Sequence, residues 1–281
     1  MTFSDFSKQL SKIEATPKRL EITGLLAELI KQTDPEEVEK AVNLSLGQLA
    51  PLYKDIDFNM AEKMVIKAIA KATGEKDAKV IAEFKTIGDL GETVENMKKH
   101  KVENREQRTE NTVVDVYERL LRIAQDSGKD SQERKTDKTA DLLRELDPLS
   151  AKYAVRIILG NLRLGFSDRT VLDALSNIVA SDKSARKKLE EVYNVRPDIG
   201  WMTSQIRNSP ARLDFVHAKS GRKFEIRNFT TEPKLGTPIL PSLCQRLEGT
   251  EEIVKKMCRP SGRASSIEGS VGKVAVEPKW D

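Results

Sequence analysis

The chain has two cysteines, two histidines and only 5% aromatic residues among its 281 positions. The cysteines, Cys244 and Cys258, have no histidine between or beside them. Structural zinc sites take four ligands from clustered Cys and His, so a zinc module is not expected. Two cysteines also fit a reducing compartment. No apolar run approaches the roughly 18 residues that span a bilayer. The first ten residues, "MTFSDFSKQL", lack the basic start and apolar stretch of a secretory signal. The expectation is a soluble, intracellular protein, cytoplasmic or nucleoid-associated, with no membrane partner and no metal held by its own side chains. No short repeat of fixed period is present, which disfavours a solenoid.

Charge is plentiful, at 33% of residues with a net of +4. It is unevenly placed. Residues 151–281 hold 23 Lys and Arg against 15 Asp and Glu, a net of +8, whereas residues 1–150 hold 25 against 29, a net of −4. A basic second half points to a polyanionic partner. A solubilising surface is the plainer alternative.

The length suits one large or two ordinary domains. The first two hundred residues read as helices almost throughout. Phe3, Phe6, Leu10 and Ile13 recur at helical spacing. In "TPKR", Thr16 suits an N-cap and Pro17 a first helical position. "DPEE" repeats the device, with Asp34 as cap and Glu37 closing a capping-box-like pair. Further helices are expected at about 60–73, 76–85, 90–99, 112–126, 132–146, 149–159, 168–180, 183–194 and 199–206. "KHKVENREQRTEN", from Lys99 to Asn111, reads as a solvated linker between two helical subdomains. After about Arg207 the pattern changes. "GRKFEIRNFT" alternates as a strand, "GTPILPSLCQRL" is extended, "CRPSGRASSIEGSVG" is a loop and "KVAVEPKW" is a strand.

The segment "ILGNLRLGFSDRTVLDALS", residues 158–176, carries most chemistry. A helix ends at Gly160, a loop with Arg163 follows, and Ser167 is placed to cap the next helix. Gly160 and Gly165 let the backbone approach a partner closely. Free N–H groups at the new helix start can bind phosphate, and Arg163 and Arg169 can neutralise it. An ordinary helix–loop–helix corner would use the same residues.

Here the residues carry a resemblance. The segment resembles the "LRLG…VLxAL" signature in the helical DNA-binding domain of ATP-dependent DNA ligases of the archaeal and eukaryotic type. "IEATPKRLEITGLLAELIK" and "LGQLAPLY" are similar to that domain's first helices, and "ELDPLSAKYAVRIILGNLRLG" to its later ones. "GTPILPSLCQRL" resembles the connector into the catalytic domain, and "VEPKWD" the start of the nucleotidyltransferase motif Glu-x-Lys-x-Asp-Gly. Single pieces are weak; the ordered set, over nearly the whole chain, is specific.

The fold this implies is mainly α. A helical DNA-binding domain of about a dozen helices covers residues 1–208, in subdomains of about 1–99 and 111–208. A β connector at 209–236 leads to an incomplete α+β nucleotidyltransferase domain at 237–281. The chain stops one residue before the motif's glycine, so it is expected to be the N-terminal portion of such a ligase and inactive alone.

The resemblance assigns Lys279 as the nucleophile that takes AMP from ATP, with Mg2+ offsetting the triphosphate charge and the AMP passing to the 5′-phosphate of a nick. It assigns Glu277 to recognition of the adenine amino group. In a strand, Glu277 and Lys279 share one face; an exposed ion pair at a strand end is the alternative for them. The expected DNA contacts are Gly160, Asn161, Arg163, Leu164, Gly165, Ser167 and Arg169 at one corner, then Lys18 and Arg19. The "SARKK" run at 184–188 is a third candidate, though such a run is usually a solvated face. The expected partner is duplex DNA with a nick, bound by a monomer; a sliding-clamp partner stays open. Two rival readings remain. One is a non-catalytic DNA-binding helical module, the other a helical protein-interaction scaffold.

Overall fold

The fold is known from a computed structural model, which describes residues 1–100, 110–208, 213–218, 221–226 and 235–240. Twelve α-helices lie among the described residues. They are α1 (Phe3–Glu14), α2 (Arg19–Gln32), α3 (Val38–Ser45), α4 (Glu62–Thr73), α5 (Asp77–Ile87) and α6 (Leu90–Lys99), then α7 (Val113–Ala124), α8 (Ser131–Glu145), α9 (Pro148–Ile158), α10 (Asp168–Ala180), α11 (Arg186–Val195) and α12 (Ile199–Asn208). A hairpin follows, β1 (Leu213–Ala218) and β2 (Gly221–Ile226), antiparallel, with Leu213 opposite Ile226 and Phe215 opposite Phe224. The fold is therefore mainly α. The strand read in "GRKFEIRNFT" is β2, and its partner comes from just before it in the chain. These residues all fall in one unit, Met1–Leu240. No described helix is long and apolar enough to cross a membrane.

Local signals explain most helix starts. Thr2 caps α1 by accepting from the Asp5 amide at 3.1 Å, and Phe3, Phe6, Leu10 and Ile13 form its buried stripe. Thr112 and Asp115 close a capping box on α7. Asp147 caps α9 from just before Pro148, which stands at the first helical position, where its missing N–H costs nothing.

The "TPKR" start differs from expectation. Lys18 is still extended, with ψ 112°, so α2 begins at Arg19, two residues later than the Thr16 cap implies. The Thr16 hydroxyl instead accepts from the Lys18 amide at 3.2 Å and donates to the Glu21 carboxylate at 2.5 Å. This local turn competes with helix nucleation at Pro17. α3 likewise begins at Val38, with Glu37 at the cap position and no side-chain cap bond.

At the centre lies α9, in which every residue from Ser150 to Ile158 is buried. A helix covered on all sides must be enclosed by others, and α6 and α1 lie against it. The closest helix pairs are α6 with α9, α4 with α8, α3 with α12 and α2 with α10. Each joins a helix from before 101–109 to one from after it.

The α6–α9 contact depends on Gly91. A Cβ there would sit 2.8 Å from the Lys152 carbonyl oxygen and 2.9 Å from both Arg156 Cγ and Asp89 Oδ1. Gly91 is the second residue of α6, so alanine gains little of its interior helix propensity. Gly91→Ala should therefore cost about 1–3 kcal/mol of overpacking strain, read as a lower urea midpoint. A midpoint at or above the parent's would mean that α6 slides freely on α9.

Candidate nucleic-acid interface

The loop between α9 and α10 is built from the inside outward. α9 closes in a Schellman arrangement: the Asn161 amide bonds the Arg156 carbonyl at 2.9 Å and the Gly160 amide bonds the Ile157 carbonyl at 3.0 Å. Gly160 has φ +64°, which that closure requires. Beyond it, side chains alternate. Leu162 and Leu164 are each 6% exposed and anchor the loop in the core. Asn161, Arg163, Gly165 and Ser167 are exposed. Leu164, expected on the outward side of the corner, thus points inward with Leu162, and only its neighbours face solvent.

Arg163 sits between the two buried leucines with φ +56°, a left-handed conformation. That costs a non-glycine residue on the order of 1–3 kcal/mol, and such strain persists where the surroundings fix it. Here they do. Arg163 Nη1 lies 3.4 Å from Asp89 Oδ2, and its Nη2 donates to the Gly88 carbonyl at 3.4 Å. Half of the side chain, 51%, remains open to solvent. With Asn161 it borders a cavity of about 420 Å³ reaching Phe84, Asp89 and Arg156.

Asp89 is itself held from below. It caps α6 by accepting from the Glu92 amide at 2.8 Å. Arg156, on the buried α9, donates through Nε to both Asp89 oxygens at 3.2 and 3.3 Å. Its Nη1 bonds Glu14 at 2.9 Å and the Leu162 carbonyl at 3.5 Å, and its Nη2 bonds Glu92 at 3.1 Å. Glu14 also accepts from the Tyr153 hydroxyl at 2.6 Å and pairs with Lys152 at 3.0 Å. Burial works to raise the Glu14 carboxyl, but Tyr153, Arg156 and Lys152 outweigh it and hold it below its ordinary 4.5. Burial and the Glu14 carboxylate push the Tyr153 hydroxyl upward, so it stays a donor. One buried arginine thereby ties three carboxylates and a loop carbonyl to the exposed corner.

The start of α10 is open. Ser167 occupies the cap position, yet its hydroxyl makes no cap bond. Its carbonyl accepts from the Thr170 amide at 2.8 Å and the Val171 amide at 3.2 Å. Asp168, the first residue of α10, accepts from the Tyr193 hydroxyl, and Arg169 pairs with Glu190 at 3.3 Å.

Of the weaker candidates, Arg19 and Arg186 reach the side of α10 that carries Arg169. Lys18 pairs with Glu21 at 2.8 Å. Arg19 reaches from α2 to Asp173 on α10 at 3.3 Å while staying 67% exposed. Arg186, within "SARKK", bonds Asp173 at 2.8 Å and forms an ion pair with Glu190 at 3.0 Å. A line of ion pairs, Arg169–Glu190–Arg186–Asp173–Arg19, therefore joins three helices. The "SARKK" run is not simply solvated, since Ala185 is in the core and Arg186 is largely covered. The α9–α10 corner is tied instead to α6.

Sequence reasoning missed Asp89, Arg156 and Asp173. Arg156 had a signal: it interrupts the apolar run "YAVRIIL", and a charge there must find partners. Asp173 interrupts "VLDALS" in the same way. Glu277 and Lys279 lie outside the described residues, as do Cys244 and Cys258. Among the described residues no group of three or more His, Cys, Asp or Glu side chains could hold a metal.

A mainly helical body thus presents a strained, half-exposed arginine at one outward corner. The chain matches the family described as DNA ligase N terminus over residues 2–176 and belongs to that family. It is 35% identical over 257 residues to the DNA ligase of Cenarchaeum symbiosum, covering 92% of this chain and 41% of that protein. It is 34% identical over 281 residues to the DNA ligase of Nitrosopumilus maritimus, covering 99% and 45% respectively. The DNA ligase of Pyrobaculum islandicum is 34% identical over 261 residues, covering 92% and 41%. The chain thus spans less than half the length of these curated relatives.

Proposed function

We propose that this chain is the DNA-gripping portion of an ATP-dependent DNA ligase that seals nicks in duplex DNA during replication, repair and recombination. In this reading residues 1–208 hold the duplex through its backbone, 209–236 are a connector, and 237–281 begin the adenylating domain. The nucleotide would supply the adenylyl group, with Mg2+ offsetting its phosphates. Glu277 would face the adenine and Lys279 would accept AMP. The duplex contacts would come from Gly160, Asn161, Arg163, Gly165, Ser167 and Arg169, with Lys18 and Arg19 further along.

One observation carries the reading. Arg163 is strained at φ +56° between two buried leucines and stays half exposed. The fold maintains a cation there at a cost, and a backbone-directed contact needs a fixed, sequence-blind cation. The chain should bind nicked and intact duplexes with little sequence preference, and affinity should fall steeply with salt as counterions are released. Arg163→Ala should weaken binding by about 1–3 kcal/mol, roughly 5- to 150-fold. Lys188→Ala should do much less, because Lys188 already pairs with Glu191 at 3.0 Å. Fluorescence anisotropy with a labelled duplex measures both. Equal losses, or affinity indifferent to salt, would remove Arg163 and its corner from the reading.

A further inference from the structure

We propose that Asp173 is a positioning residue for a second phosphodiester-binding face, in which it holds Arg19, Lys183 and Arg186 as a preset group of cations along the DNA backbone. The proposal rests on the DNA-binding reading above, which already names Arg19, and extends it to Asp173, Lys183 and Arg186.

The geometry is a buried carboxylate with too many cations. Asp173 is 4% exposed. Its Oδ1 accepts from Arg186 Nε at 2.8 Å, and its Oδ2 lies 3.3 Å from Arg19 and 3.8 Å from Lys183. These come from three places: the start of α2, the turn before α11, and α11 itself. Arg186 also pairs with Glu190, which Arg169 shares, so four cations meet two carboxylates and the group keeps an excess of two positive charges. Arg19 and Lys183 stay 67% and 55% exposed, and they direct that excess outward.

Stability alone explains this poorly. The buried Asp173 carboxylate is already answered by Arg186, which is itself largely covered; the pairs to the exposed Arg19 and Lys183 add little, and like charges gathered there repel one another. A second anion arriving from solvent would complete the neutralisation. Duplex DNA offers about one phosphate charge per 1.7 Å of axis, so a row of fixed cations matches its backbone. The position on α10 fits. Arg169 and Asp173 are four residues apart and share one helix face. Asp173 lies about 7.5 Å along the axis from Asp168, where the open start of α10 meets the α9–α10 loop. A backbone seated at that start would run toward the Asp173 group.

Pure electrostatics and positioning give opposite signs for one substitution, which makes the test sharp. Asp173→Asn removes a negative charge, so a carboxylate that only repels DNA would, once removed, tighten binding. A carboxylate that sets three cations in place would, once removed, loosen it. The expected result is three- to tenfold weaker binding of a labelled nicked duplex, with most of the loss restored by Asp173→Glu. Lys183→Gln, an exposed change that leaves the fold intact, should lower the slope of log affinity against log salt by about 0.9. Circular dichroism checks that Asp173→Asn is folded; if it is not, the Lys183→Gln slope decides alone. Unchanged or tighter binding by folded Asp173→Asn, or an unchanged slope for Lys183→Gln, overturns the proposal. Arg163→Ala in the same titration separates the two ideas. Should it weaken binding while the Asp173 and Lys183 variants behave as the parent, only this face is lost. Should the parent not bind duplex at all, both fall.

Discussion

Replacing Arg156 with methionine should remove about 3–5 kcal/mol of stability, the cost of breaking a buried ion pair from one side. Methionine fills much the same space, so the loss is electrostatic rather than a cavity. Arg156 contacts Asp89, Glu14, Glu92 and the Leu162 carbonyl at once. Without it Asp89 retains only the Glu92 amide and the longer Arg163 pair. Glu14 retains Tyr153 and Lys152. Domains are stable by only about 5–15 kcal/mol, so the variant should be near the edge of folding. Urea unfolding of parent and variant measures the difference.

Acid should narrow that difference. In the parent, the Glu14 carboxyl is held below its ordinary 4.5. Such a group contributes stability that is fully present above 4.5 and fades as pH falls through the lowered value. Part of that contribution comes from Arg156, so the variant has less to lose. A gap between parent and variant that is small at neutral pH, or widens in acid, would show that the network is ornamental.

If Lys279 is the nucleophile proposed above, Lys279→Ala should abolish adenylation in a chimera that carries a whole ligase catalytic domain. The version to use joins residues 1–281 to the remaining portion of the Cenarchaeum symbiosum relative, and the readout is covalent label from ATP in the presence of Mg2+. A lysine near its free pKa of about 10.4 is protonated and cannot attack phosphorus. It needs burial or neighbouring cations to release the proton. Arginine cannot substitute, because its guanidinium stays charged. Label that survives Lys279→Ala would assign the nucleophile elsewhere.

How much of this was readable in the sequence depends on the range of the interaction. The α1 stripe of Phe3, Phe6, Leu10 and Ile13 was legible because helix period and capping act within a few residues. Gly160 was legible as a helix end for the same reason. The "TPKR" start was misplaced by two residues, since a cap and a local turn use the same threonine hydroxyl. The inward face of Leu164 is not legible, because "NLRLG" gives no period by which to assign faces. The Asp89–Arg156–Glu14 junction was not legible. Its members are far apart in the chain, and only the packing of α1, α6 and α9 brings them together. The same holds for Asp173, whose cations come from residues 19, 183 and 186.

The pairing of α2 with α10, α3 with α12, α4 with α8 and α6 with α9 has a consequence for how the protein is made. A ribosome releases the chain from its start, and the first hundred residues emerge with four helices whose main partners do not yet exist. At about 5–20 residues per second, the second hundred take roughly 5–20 s to follow. During that interval α2, α3, α4 and α6 have only α1, α5 and one another to pack against, and each lacks its main partner. The described helices close when α12 seats its Gly200 against Asn43 of α3. The helical body therefore cannot finish packing until residue 208 has cleared the exit tunnel.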